Sequence, residues 1–140
     1  MTQPAGTHTV VVGAAIVDGG RVLAALRAAP PRLAGFWEFP GGKVEPGETD
    51  REAVVRECRE ELEVEVEVVD RLGHDLPIGG GTATLRVFVA RLRAGVPTPV
   101  EHRELRWAGA GEVEGLRWLP TNAPLLPALR ALLDGADGAV

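Results

Sequence analysis

Residues Gly42 to Val64 read GKVEPGETDREAVVRECREELEV, and this stretch decides the fold. Thr49 followed by Glu52 fits a capping box, which marks a helix start. The helix is expected to run to about Leu62. Within it, Glu57, Glu60 and Glu61 stand at i, i+3 and i+4, so their carboxylates share one face. Like charges at this spacing repel, and a divalent cation with a preference for oxygen relieves the repulsion. Magnesium suits such a cluster, because it accepts carboxylates and fills its remaining positions with water and substrate phosphates. Ala53, Val54, Cys58 and Leu62 form the opposite, apolar face and are expected to dock on a sheet. Arg56 lies one turn before Glu60 and eight residues after Glu48, placed to bridge both and tie the loop to the helix. Gly41, Gly42 and Gly47 let the loop bend tightly and let backbone approach a ligand.

Outward from this segment the chain reads as strands. Val10 to Val17 is apolar and β-branched and stops at Asp18-Gly19-Gly20; Arg21 to Leu26 resumes as the second arm of a hairpin. Ala28 to Leu33 contains Pro30-Pro31 and reads as a loop. Phe36 to Phe39 is a short extended piece stopped by Pro40-Gly41-Gly42, and Lys43 to Glu48 is a loop. Val64 to Val69, Thr82 to Leu92 and Glu104 to Ala108 read as strands. Gly79 to Gly81 is a turn, and Ala110 to Glu114 a helical turn. Ala123 to Leu133 is an amphipathic helix. This order points to an α/β (α+β) domain with a mixed sheet flanked by helices.

Bulk properties narrow the function. A chain of 140 residues, 45% hydrophobic and 25% charged, is expected to be one domain over residues 1–140, with residues 1–8 and 135–140 as flexible ends. The formal charge of −5 disfavours a nucleic-acid polymer as partner. Met1 to Thr9 is polar, without a signal-peptide core, and no apolar run approaches the roughly 20 residues of a membrane span. The single cysteine, Cys58, has no partner for an internal disulfide, which suits a reducing cytoplasm.

The Gly42–Val64 segment resembles the Nudix box, G-x5-E-x7-R-E-U-x-E-E-x-G-U with U aliphatic. Gly42, Glu48, Arg56, Glu57, Glu60, Glu61 and Val64 match in register, while Cys58 replaces an aliphatic residue and Glu63 the helix-ending glycine. The flanking Phe36-Trp37-Glu38-Phe39-Pro40-Gly41-Gly42-Lys43, the strand ending at Leu26-Arg27, Glu101-His102 before Leu105-Arg106-Trp107, and Leu119-Pro120-Thr121-Asn122 are similar to the MutT-like and CTP pyrophosphohydrolase subgroup.

The resemblance implies a Nudix fold, an α/β/α sandwich with a mixed sheet. It implies a Mg²⁺-dependent pyrophosphohydrolase, with Mn²⁺ as a substitute, converting a nucleoside triphosphate to monophosphate and pyrophosphate. It further implies metal ligation by Glu57, Glu60, Glu61, Glu101 and the Gly41 backbone. Glu57 is the first candidate for general base, followed by Glu101; Arg56 and Glu48 support them. Arg27 and Lys43 are implied on the phosphates, Phe39 beside the base, and Asn122 on the base edge through its amide.

Several residues keep a second reading. Arg27 fits a surface ion pair, Asn122 a helix cap, and Phe36, Trp37 and Phe39 the core. Glu104 rivals Glu101. Trp107, Trp118 and Cys58 read as packing residues, and His74 and His102 carry no role. CTP or dCTP and oxidised dGTP are the favoured substrates. ADP-ribose or dinucleoside polyphosphate hydrolysis, and a non-catalytic nucleotide-binding module, are the rival functions. A small-molecule nucleotide is the expected partner, with no membrane, in a monomer or homodimer.

Overall fold

A computed structural model describes residues 8–135; the expected flexible ends thus fall almost wholly outside the described residues. Strand β1 (Thr9–Asp18) turns into β2 (Arg21–Leu26), as the Gly19-Gly20 turn predicts. β3 (Trp37–Glu38) and β4 (Gly41–Lys43) follow, then helix α1 (Asp50–Leu62), β5 (Glu65–Ile78), β6 (Ala83–Ala94), β7 (Glu104–Gly109) and helix α2 (Leu126–Asp134).

All seven strands join one mixed sheet, ordered β3-β2-β1-β6-β5, with β4 also on β1 and β7 also on β2. β1 and β6 run parallel from Thr9↔Ala83 to Val17↔Arg91. The other pairings are antiparallel. β1 divides its second edge: Val17 and Asp18 pair with β2, while Val11 to Gly13 pair with β4.

The period of two along β1 sends its side chains to opposite layers. Val12, Ala14 and Ile16 pack with Ala53, Val54, Cys58 and Leu62 of α1. Ala15 and Val17 pack on the other side with Trp118 and with Leu125, Leu129 and Leu133 at the α2 end. The expected α/β/α sandwich is therefore present. Among the described residues no helix is long and apolar enough to cross a membrane.

Helix α1 starts where its capping box places it: Glu52 N donates to Thr49 Oγ1 at 3.1 Å, and Thr49 N to Glu52 Oε1 at 2.8 Å. Cys58 is buried as expected, and burial beside acidic neighbours raises its thiol to about 12, leaving it a protonated packing group.

Three expected boundaries shift. The stop at Pro40-Gly41-Gly42 is instead the start of β4, because side-chain-free Gly41 and Gly42 fit flat against β1. The strand expected over Val64–Val69 continues to Ile78, carried through register shifts by its partner β6. The last helix opens with a 3₁₀ turn at Ala123–Leu125, and Asn122 makes no side-chain cap to it.

Candidate active site

Helix α1 and strand β4 build the acidic side of the site. Packing α1 by its apolar face turns the glutamates toward the glycine strand, but it does not treat them alike. The Glu57 and Glu61 side chains are 13% and 9% exposed, whereas that of Glu60 is 57% exposed. Glu57 lies directly over Gly42, where an added Cβ would stand 2.6 Å from its carboxyl carbon.

Arg56 makes both bridges its spacing predicts. Its Nε and Nη2 donate to the two Glu48 oxygens at 2.7 and 3.0 Å, and Nη1 donates to Glu60 at 3.2 Å and Glu57 at 3.1 Å. Nη2 also donates to the Lys43 carbonyl at 2.9 Å, fastening the loop to the helix. The Arg56 guanidinium holds the Glu48 carboxyl below its ordinary value, helped by the Glu45 backbone N–H.

Glu61 sits in the opposite electrostatic situation. Burial, then a hydrogen bond with Glu57, then the charges of Glu57, Glu38 and Glu101, push its carboxyl from 4.5 up to about 9. A cavity of about 360 Å³ opens beside it, bounded by Glu61, Glu101, His102, Glu38, Gly41 and Arg27. A second cavity of about 310 Å³ shares Arg27, Glu38 and Gly41 with the first, and is closed by Phe39, Leu119 and Asn122, with Lys43 on its rim. One compartment is acidic and the other mainly apolar, and the same three residues divide them. A larger groove of about 770 Å³ runs along the outer side of α1 by Arg51, Val55 and Arg59, but Glu57, Glu61 and Glu101 do not line it.

Arg27 reaches the boundary as an ion pair. Nη1 donates to Glu38 at 3.0 and 3.2 Å, while Nε and Nη2 donate to the Ala29 carbonyl at 3.1 and 2.8 Å. This ion pair is part-buried, and Arg27 lines both cavities. Asn122 is buried, and its Oδ1 accepts from Phe39 N at 3.0 Å across the chain. Its amide nitrogen donates to Thr121 Oγ1 at 3.0 Å. Phe39 belongs to core and cavity at once, its ring centroid 5.0 Å from that of Trp118. Trp37 and Trp118 are core, and Trp107 packs on the α1 side. Glu104 pairs with Arg106 on β7 and does not line the cavity, while Glu101 does.

Two site residues escaped the sequence reading. Glu38 was legible in principle: an acidic residue between Trp37 and Phe39 in an extended piece must face away from both rings. His102, read as having no role, stands with its side chain only 6% exposed between Glu38 and Glu61. Its one signal along the chain is its place beside Glu101, in the pair that resembles the MutT-like subgroup.

Among the described residues, no group of three or more His, Cys, Asp or Glu side chains is arranged to hold a metal ion. The residues nevertheless fit a hard divalent cation. Burial first, and then the carboxylates of Glu57, Glu38 and Glu101, push the Glu61 carboxyl up to about 9, and several acidic groups gathered in one buried place want a counter-charge. Magnesium also takes few protein ligands and completes its shell with water and phosphate.

The NUDIX domain description matches residues 7–134. A Mycobacterium tuberculosis protein named "Putative 8-oxo-dGTP diphosphatase 2" is 45% identical over 132 residues, covering 92% of this chain and 93% of its own. The Escherichia coli CTP pyrophosphohydrolase is 39% identical over 123 residues, covering 87% of this chain and 91% of its own. The solution structure of the Escherichia coli ORF135 protein superposes with a TM-score of 0.76 at 36% identity, covering 99% of this chain and all of that one. With the box glutamates on α1, the glycine strand beneath them and these likenesses along almost its whole length, the chain belongs to the Nudix hydrolase family.

Proposed function

We propose that the protein is a Mg²⁺-dependent nucleoside triphosphate pyrophosphohydrolase that sanitises the nucleotide pool, acting on CTP or dCTP, on oxidised dGTP, or on both. One observation carries the reading: an acidic compartment and a mainly apolar one meet at Arg27, Glu38 and Gly41. A nucleoside triphosphate has that same division, with charge at one end and a flat ring at the other. The names of the Mycobacterium tuberculosis and Escherichia coli relatives support the substrate class. Such substrates belong to the cytoplasm.

In this reading Glu57, Glu60, Glu61, Glu101 and the Gly41 backbone hold the divalent ion, for which Mn²⁺ substitutes. The bound ion supplies neutralisation of charge on the phosphate oxygens and acidification of water. Glu57 accepts the proton of the attacking water, with Glu101 the next candidate. The water oxygen bonds to phosphorus as the α–β phosphoanhydride bond breaks, giving the nucleoside monophosphate and pyrophosphate. Arg56 and Glu48 hold Glu57 in place, Arg27 and Lys43 attract the phosphates, and Phe39 and Asn122 flank the base.

The test is pyrophosphate release from CTP, dCTP, 8-oxo-dGTP, dGTP, ADP-ribose and a diadenosine polyphosphate, with and without Mg²⁺, for wild type and Glu57→Gln. Magnesium-dependent release from a triphosphate, lost in the variant, is expected. Turnover confined to ADP-ribose or the dinucleotide would reassign the substrate. Nucleotide binding without any turnover would make the protein a binding module.

A further inference from the structure

The His102 side chain lies between the two sides of the acidic cavity, 2.9 Å from Glu38 and 3.9 Å from Glu61. Its loop is pinned at both ends to the site's own framework. Val100 N donates to the Glu61 carbonyl at 3.3 Å and Thr98 N to the Leu62 carbonyl at 2.9 Å, at the open end of α1. One residue beyond His102, Arg103 N donates to the Leu26 carbonyl at 2.9 Å, next to Arg27. The imidazole therefore spans from the end of the metal-side helix to the end of the strand that carries Arg27.

Its two nitrogens are used unequally. Nε2 lies 2.9 Å from Glu38 Oε2. An ionised carboxylate only accepts, so Nε2 carries the proton in this contact. Glu38 in turn holds Arg27 Nη1 with both oxygens. Nδ1 points toward Glu61 Oε1 at 3.9 Å, is buried, and has no hydrogen-bond partner. A buried polar atom left unpaired is costly, and an apolar side chain of similar size would avoid that cost if packing were the only task.

Resting on the hydrolase reading above, we propose that His102 is a positioning residue: by gripping Glu38 it aims Arg27 at the substrate phosphates, and by facing Glu61 it makes the phosphate side and the metal side of the cavity one connected unit. The sequence Glu61, His102, Glu38, Arg27 is then a continuous line of contacts across the cavity. Arg27 needs this support because its remaining hydrogen bonds go to a single backbone carbonyl, that of Ala29.

The test uses His102→Leu, which keeps bulk and removes both nitrogens, and His102→Gln, whose amide N–H can still reach Glu38. In ¹⁵N NMR of the metal-free protein, the Arg27 Nη1–H signal, which reports the Glu38 contact, is expected to be sharp in wild type and His102→Gln, and broadened or lost in His102→Leu. With the triphosphate that wild type hydrolyses, His102→Leu is expected to raise KM about tenfold, the scale of one hydrogen bond to a charged group, and to lower kcat by less. His102→Gln should restore KM most of the way. Combining His102→Leu with Glu38→Ala should raise KM no further than Glu38→Ala alone. An unchanged Arg27 signal in His102→Leu, equal damage from Leu and Gln, or additive effects in the double variant would overturn the proposal. If His102→Leu does not fold, Glu38→Ala against His102→Gln decides: loss of the Arg27 signal in the first and retention in the second is required. Absence of turnover in wild type would instead refute the hydrolase reading, and the NMR result would still decide the role of His102.

Discussion

The carboxyl group of Glu57 lies against the backbone of Gly42, so closely that a methyl group on Gly42 would sit 2.6 Å from its carboxyl carbon. At the neighbouring Gly41 the same addition would meet backbone, 2.8 Å from Gly13 Cα. The two glycines therefore protect different things. Gly42 leaves room for a functional side chain, and Gly41 leaves room for strand pairing.

The variants Gly42→Ala and Gly41→Ala should separate these roles. The far end of Glu57 can swing away, so Gly42→Ala should keep its Tm nearly unchanged. Its kcat/KM should fall about 100-fold, the scale of a misplacement of about 1 Å at a reacting group. Gly41→Ala must push strand from strand, and should lose about 2 kcal/mol or more of stability. Thermal melts beside steady-state kinetics check both outcomes.

Arg56 serves four side chains or carbonyls through a planar fork, and lysine has no such fork. Arg56→Lys should lower kcat/KM about tenfold or more, through loss of the hold on Glu57. It should also lower Tm, because the loop at Lys43 and Glu48 loses its fastening. Preserved kinetics in a folded Arg56→Lys protein would show that the bidentate geometry is dispensable.

Glu61 makes the metal-free protein sensitive to pH. Its folded value, about 9, lies above its ordinary 4.5, so the folded state holds a proton that the unfolded chain releases. That contribution to stability is fully present below about pH 4.5 and is lost as pH rises through about 9. Tm of the metal-free protein should therefore fall across this window, by about 5 °C or more. Glu61→Gln should flatten the fall. Saturating Mg²⁺ should flatten it too in wild type, because it favours the ionised carboxylate. Melts from pH 5 to 9 in chelator and in Mg²⁺ measure this.

Glu63 occupies a left-handed conformation, φ 60° and ψ 37°, in which its N–H caps the Arg59 carbonyl at 3.1 Å. Glycine adopts that conformation without the steric cost of a Cβ. Glu63→Gly should stabilise the protein by about 1 kcal/mol, with hydrolysis unchanged, because the side chain is exposed and lines neither cavity. A lower Tm for this variant would mean that Glu63 has a stabilising contact outweighing its backbone strain.

Much of this protein was legible without coordinates because its decisive features are local. The capping box, the apolar stripe Ala53-Val54-Cys58-Leu62 and the reach of Arg56 to Glu60 are properties of helix spacing, and spacing is written in the chain. The same spacing could not say that Glu60 stays in solvent while Glu61 is buried, since that depends on what packs against the end of α1. The longer β5 was hidden because its later residues are held by pairing with β6, not by their own pattern. Asn122 reached Phe39 instead of capping a helix through a contact spanning 83 positions. Glu38 and His102, 64 positions apart, were brought to hydrogen-bond distance by loops fastened to two different elements. The sequence by itself determined which helix carries the charge and which of its faces is buried. Tertiary structure alone decided which of those charges are desolvated and which residues from distant segments meet them, because burial and proximity are properties of the packed whole.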